Sequence, residues 1–336
     1  MPAVASPRLN RMSWTYVSGL VSALDTRLLT QRATAELLGA DELRDLCSRV
    51  RQTLLFADLP ETAEPFELAE AMQVSYAATT RRLGEASPMP SMADVFLLPL
   101  EWQAYRGFLR EKALGLEGAA APGASVPRSV WEQCWAGQEA EAPYDLFAAA
   151  GAALRDAAPR DEWSPQHVDG ITHVFEARSV RRAALGTGSA AIAGWVDAWL
   201  TFRLALAALR CRFNQWGGAL AVEAFDGLGE ARQALAAMGD EGRRDWRAPL
   251  MSLGLPGVQG IAEDEPLPPV AVERLIDNAM TEQIRAGRGE AFGPEPVFAF
   301  LWALRIEALN LKAIVAGRAA GLPREAIAGD LRQTYG

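Results

Sequence analysis

Two histidines, His167 and His173, are the only imidazoles in the 336-residue chain. On one helix their six-residue spacing puts them about 120° from a common face, whereas helical metal pairs sit three or four residues apart. The segment Gly186-Thr187-Gly188 lacks the third glycine and the preceding strand of a dinucleotide loop, so it reads as a helix break. No HExxH, GxSxG or GxxxxGK[ST] pattern occurs. The carboxylate pairs Glu67/Glu70 and Asp145/Asp156 fall on charged helix faces, where solvation is the simpler role. Cys47, Cys134 and Cys211 are scattered and form no CxxC pair, which fits reduced thiols. The expectation is a chain with no catalytic residue, no cofactor-binding residue and no metal ligand.

The informative polar residues lie elsewhere, inside long apolar runs. From Phe292 to Gly321 a nearly continuous apolar stretch is interrupted by Arg305, Glu307, Asn310 and Lys312. Polar groups placed there must find partners or cost several kcal/mol each. With Glu307 as the zero position, Asn310 stands at +3, Lys312 at +5, Arg318 at +11 and Gly321 at +14. Upstream, Glu101 at zero gives Arg106 at +5, Arg110 at +9, Lys112 at +11 and Gly115 at +14. A degenerate third copy puts Thr201 at zero, with Arg210 at +9 and Arg212 at +11. At about 100° per residue, offsets 0, +3 and +11 share one stripe while +5 and +9 lie opposite, as a bundle helix touching several neighbours requires. Glu101, Arg106, Arg110, Lys112, Arg210, Arg212, Glu307, Asn310 and Lys312 are therefore expected to form a structural polar network. They would satisfy one another or neighbouring helix ends.

The elements that position these residues are all helical. Alanine is abundant, half the residues are apolar, and period-two runs of β-branched residues are scarce. Helices are expected over 11–29, 41–55, 66–83, 94–116, 128–135, 143–157, 166–185, 190–214, 220–238, 270–288 and 292–321, with a short one after Thr30 and another after Pro323. Gly118–Pro127 (GAAAPGASVP) reads as a flexible linker, and Gly239–Pro269 as a long loop rich in glycine, proline and charge. The zero positions lie about one small domain apart, which divides the chain into helical repeats at 1–117, 118–216 and 217–336. The expected class is all-α, with three similar helical bundles.

A net charge of −9 argues against nucleic acid as a partner. Met1–Trp14 has no apolar core of the signal-peptide kind, and the most apolar stretch, Ala190–Cys211, is interrupted by Asp197 and Arg203. The chain reads as soluble.

The C-terminal run resembles the signature of the C-type subunits of V/A-type (vacuolar/archaeal-type) rotary ATPases, whose eukaryotic equivalents are the d-type subunits of the V-ATPase. The residues that carry the likeness are Phe292-Gly293, Glu295-Pro296, Glu307, Asn310, Leu311-Lys312 and Gly321-Leu322-Pro323. Tyr16–Leu46 is similar to the opening of that family. Glu101, Arg106, Arg110 and Lys112 match its central motif, with Ala104 where the family has Asn. The middle copy keeps only Arg210 and Arg212. The resemblance implies three bundles around a pseudo-threefold axis, shaped as a funnel, and a non-catalytic central-stalk socket without cofactors. It further implies D- and F-type rotor shaft subunits and the membrane proteolipid ring as partners. The place would be the cytoplasmic face of the membrane, in proton or sodium transport. The alternative is an all-helical adaptor or scaffold unrelated to rotary ATPases, although such arrays usually repeat every 30 to 50 residues.

Overall fold

The computed structural model describes residues 13–40, 42–56, 64–115, 122–138, 140, 144–157, 163–213, 247–260, 269–285, 289–290 and 292–334. The secondary structure among them is helical. In chain order the α-helices are α1 Trp14–Asp25, α2 Gln31–Leu38, α3 Leu43–Val50, α4 Pro65–Ala86, α5 Ser91–Leu114, α6 Arg128–Trp135 and α7 Asp145–Ala157. There follow α8 Pro165–Gly186, α9 Ala190–Phe213, α10 Arg247–Ser252, α11 Pro269–Arg285, α12 Pro294–Ala319 and α13 Arg324–Asp330.

Local chemistry fixes most of the ends. Ser13, Thr30 and Ser164 each accept a hydrogen bond from the first-turn amide of Tyr16, Ala33 and His167, so α1, α2 and α8 begin where a side-chain acceptor is available. Pro165 and Pro294 occupy first-turn positions, where the missing N–H removes a donor that would lack a partner. The helices α5 and α12 run into glycines in the left-handed region, Gly115 at φ 67° and Gly321 at φ 72°. Those are the two +14 glycines of the repeated pattern. Gly317 serves a different need, because an added Cβ there would meet Cγ1 of Ile327 at 2.7 Å, so its absence lets α13 lie against α12.

Six long helices follow one another round a closed circuit. The helix α4 packs on α5, α5 on α8, α8 on α9, α9 on α11, α11 on α12, and α12 returns to α4. Consecutive pairs form three hairpins, α4/α5, α8/α9 and α11/α12, the first two joined by short turns. Outside this ring α1, α2 and α3 lie on α12, α7 lies on α8 with α6 against it, and α13 bridges α12, α11 and α2. Trp102 and Trp302 sit fully buried in α5 and α12, each removing apolar surface worth about 2–3 kcal/mol. Trp102 stacks on Phe147 of α7 with ring centroids 4.2 Å apart, while Trp302 meets Trp199 edge-on and donates its indole N–H to Thr281.

Some expectations shift. The helix carrying Glu101 begins at Ser91, three residues before the expected start, and keeps Pro99 inside it. The loop expected over Gly239–Pro269 contains the helix α10 and a 3-10 turn at Val258–Gly260, since Leu250, Leu255 and Val258 are buried and anchor it. The helix α3 stops at Val50 and resumes only as a 3-10 turn at Leu54–Phe56. The expected helix 220–238 lies outside the described residues. Over Ala190–Ala207 the helix α9 is long and apolar enough to cross a membrane by length and composition alone, with Asp197 and Arg203 inside that window. It lies within the ring instead, packed on α8 and α11, with Asp197 paired to Arg181 and Arg203 to Glu176.

Candidate functional site

The ring encloses a chamber of about 240 Å³ to which all six helices contribute side chains. The second helix of each hairpin presents the same offsets to it. Pro99, Trp199 and Arg305 line it at −2; Gln103, Arg203 and Leu309 at +2; Arg106, Leu206 and Lys312 at +5. The first helices repeat as well, at 100-residue intervals: Gln73, His173 and Glu273, then Tyr76, Glu176 and Ile276. Offsets −2, +2 and +5 are spaced by four and three residues, so each helix turns one face inward.

Two ion-pair stations stand in the wall. At the first, Glu176 Oε2 accepts from Arg106 Nη2 at 2.5 Å, and Arg203 Nη1 is 2.9 Å from its Oε1. Arg106 also donates to Thr172, which ties α5 to α8 twice. Burial works to raise the pKa of the Glu176 carboxyl, but the positive charges of Arg203 and Arg106 and the hydrogen bond from His173 outweigh it and hold it well below the usual carboxylate range. The His173 pKa is lowered as well, by burial and by Arg106 against the pull of Glu176, so the imidazole stays neutral. At the second station Asp277 accepts from Arg305 Nη1 at 2.9 Å and from Arg332 Nε at 2.5 Å. Trp199 lies between the two stations, with the Arg203 guanidinium 5.1 Å and the Arg305 guanidinium 5.3 Å from its ring.

The other face of α5 and of α12 grips backbone. Glu101 accepts from the amides of Ser125 and Val126 and from the Ser125 hydroxyl at 2.7–3.1 Å. The described end of the expected flexible linker is thus held in place, and Gly123 O also accepts from Arg81. Glu307 Oε2 accepts from the Leu29 amide at 2.8 Å, and Arg318 reaches Ala40 O, so α12 holds both ends of the α2 segment. Asn310 accepts from Arg332 N and donates to Arg332 O, clasping the extended C-terminal segment. Replacing Asn310 by Ala leaves both Arg332 groups without that partner, and stability in urea should fall by about 1–3 kcal/mol. Hydrogen exchange at the Arg332 amide should rise with it; an unchanged amide would show that the clasp is not held by this side chain.

The remaining polar residues expected from the sequence are dispersed. Arg110 pairs with Asp169 of α8, and Lys112 lies 3.9 Å from Glu132 and over the Phe108 ring. Lys312 is exposed at the chamber, with no ion pair among the described residues. The side chains of Arg210 and Arg212 lie outside the described residues. None of the described members of this set bonds directly to another; each reaches a different helix or loop. Sequence reasoning missed Glu176, Asp277 and Asp169, although the 100-residue recurrence of Gln73, His173 and Glu273 was available as a signal. No group of His, Cys, Asp and Glu suited to a metal ion occurs among the described residues. His167 is occupied with Ser164 at the start of α8.

Residues 248–329, which include most of α10 and all of α11 and α12, match the family model described as ATP synthase (C/AC39) subunit. That third of the ring is similar to the C/AC39 family. That family comprises structural rather than catalytic subunits of V/A-type ATPases. The match covers the third hairpin and its surroundings; the first two hairpins join it through the shared chamber. A search of curated proteins finds no match.

Proposed function

We propose that this chain is a C/AC39-type subunit and the central-stalk socket of a V/A-type ATPase, coupling the rotary shaft to the membrane proteolipid ring during proton or sodium transport. In this reading the repeats 1–117, 118–216 and 217–336 stand around a pseudo-threefold axis, and the chamber is the interior of the funnel they form. The observation that supports it is the recurrence of offsets −2, +2 and +5 from three helices around one chamber. An interior built three times over from equivalent faces suits a part that is loaded by rotation. The stalk and the ring would meet it from opposite ends, on the cytoplasmic face of the membrane. Ion pairs and backbone clasps between hairpins would make the wall stiff enough to pass torque.

The test is a pull-down of tagged protein from detergent-solubilised membranes of the source cell, read by mass spectrometry. The expected result is joint recovery of D- and F-type shaft subunits, catalytic subunits and the proteolipid. Recovery of soluble partners without shaft or ring would overturn the socket role and leave the fold intact.

A further inference from the structure

The chamber wall is arranged asymmetrically in charge. At each station the carboxylate lies back in the wall and the cation lies nearer the opening. Side-chain exposure is 4% for Glu176 against 15% for Arg106 and 31% for Arg203; it is 1% for Asp277 against 19% for Arg305. Lys312 adds an exposed cation, while Glu273 is the one partly exposed acid of the lining among the described residues. The accessible surface is therefore cationic in a chain whose net charge is −9. Local guanidinium and ammonium groups facing a concave, partly desolvated space act more strongly than the same charges on an open surface.

We infer that the chamber receives the acidic tip of a partner protein, one that inserts carboxylates toward Lys312, Arg305 and Arg203. This rests on the socket reading above and adds the chemistry of the inserted end. A volume of about 240 Å³ takes a few side chains rather than the body of a helix, whose diameter is about 10–12 Å. The inserted contact is thus a cluster of end residues. Arg203 and Arg305 are already held flat against Trp199, so they can share a second carboxylate without losing their place. Lys312 has no such tether and is the cation most free to pair with the newcomer.

The experiment measures binding of the purified D- and F-type shaft subunits from the same cell to the full chain. Affinity is compared at low and at raised salt for the parent, for Lys312→Glu and for Arg32→Glu. Arg32 is an exposed residue of α2, outside the chamber lining, and its reversal changes net charge by the same amount. Raised salt should weaken the parent complex, and Lys312→Glu should weaken it about tenfold at low salt, as expected when a charge pair in a contact is reversed. Arg32→Glu should bind like the parent. Equal affinity of parent and Lys312→Glu, with no dependence on salt, overturns the acidic tip and leaves the socket standing. Loss equal in both variants also overturns it, because only net charge would then matter. No binding of shaft subunits to the parent at any salt overturns the socket reading and the inference with it.

Discussion

Replacing Glu176 by Ala should destabilise the protein by about 3–5 kcal/mol at neutral pH, the range for removing one partner of a buried charge pair. The reason lies in what is left behind. Arg106 and Arg203 are both turned toward this carboxylate, from α5 and α9, and Glu176 itself is almost fully buried on α8. Without it two guanidiniums share a partly desolvated space with no counter-charge. Three helices of the ring meet at this point, so the loss should appear as a lower urea midpoint for the whole chain. The pH dependence has a definite sign. The carboxyl is held below its usual value in the folded state, so its contribution is complete above about pH 4.5, where the unfolded carboxyl titrates. It is lost as pH falls further toward the lowered folded value. The gap between parent and Glu176→Ala should therefore narrow on acidification. A gap that stays constant from neutral pH to about pH 3 would mean that the side chain acts through packing and not through charge.

The two stations and the two clasps explain why only part of this site was legible in the sequence. Offsets 0, +3 and +11 and offset +5 were separable as two stripes because a helix imposes that separation whatever it packs against. Glu307, Asn310 and Arg318 do share the outer face, gripping Leu29, Arg332 and Ala40, and Arg106 and Lys312 do face the chamber. Their partners were not legible. Glu307 bonds an amide 278 residues away, and nothing in the local spacing specifies such a contact. Glu176 carried no local signal, since its burial depends on α5 and α9 closing over it. The sequence spacing places Pro99 inside α5, and the structure keeps it there. A proline inside a helix normally ends it, but here tertiary packing over Met92, Val95 and Phe96 carries the helix through. The class itself was set by alanine content and 3.6-residue periodicity, which need no long-range information.

Replacing Glu307 by Gln should reverse the order of stability between acidic and alkaline pH. The Glu307 carboxyl is about 5% exposed, and its pKa is pushed up to about 7 by burial, with the Leu29 amide pulling only weakly the other way. Its Oε1 has no hydrogen-bond partner, and the adjoining space of about 10 Å³ is barely the size of one water. Leu28 and Leu29 after α1, Thr34 of α2, Ile306, Asn310 and Leu311 of α12 and Thr334 near the C-terminus surround it, and none carries a charge. The sign follows from the raised value. The folded state holds the proton more tightly than the unfolded chain, so stability falls as pH rises from about 4.5 to about 7 and the penalty is complete above that. A displacement of this size corresponds to about 3 kcal/mol. The amide variant escapes the penalty and keeps an oxygen for the Leu29 N–H, but its NH2 stands where Oε1 found no partner, which costs about 1 kcal/mol. Glu307→Gln should thus be less stable than the parent by about 1 kcal/mol near pH 3.5, equal to it near pH 5 and more stable by about 2 kcal/mol near pH 8.5. Parallel stability curves across that range, measured by urea unfolding, would show that Glu307 ionises freely in the folded chain. A crossing would identify the junction of α12 with the α1–α2 turn as the part of the fold most sensitive to alkali.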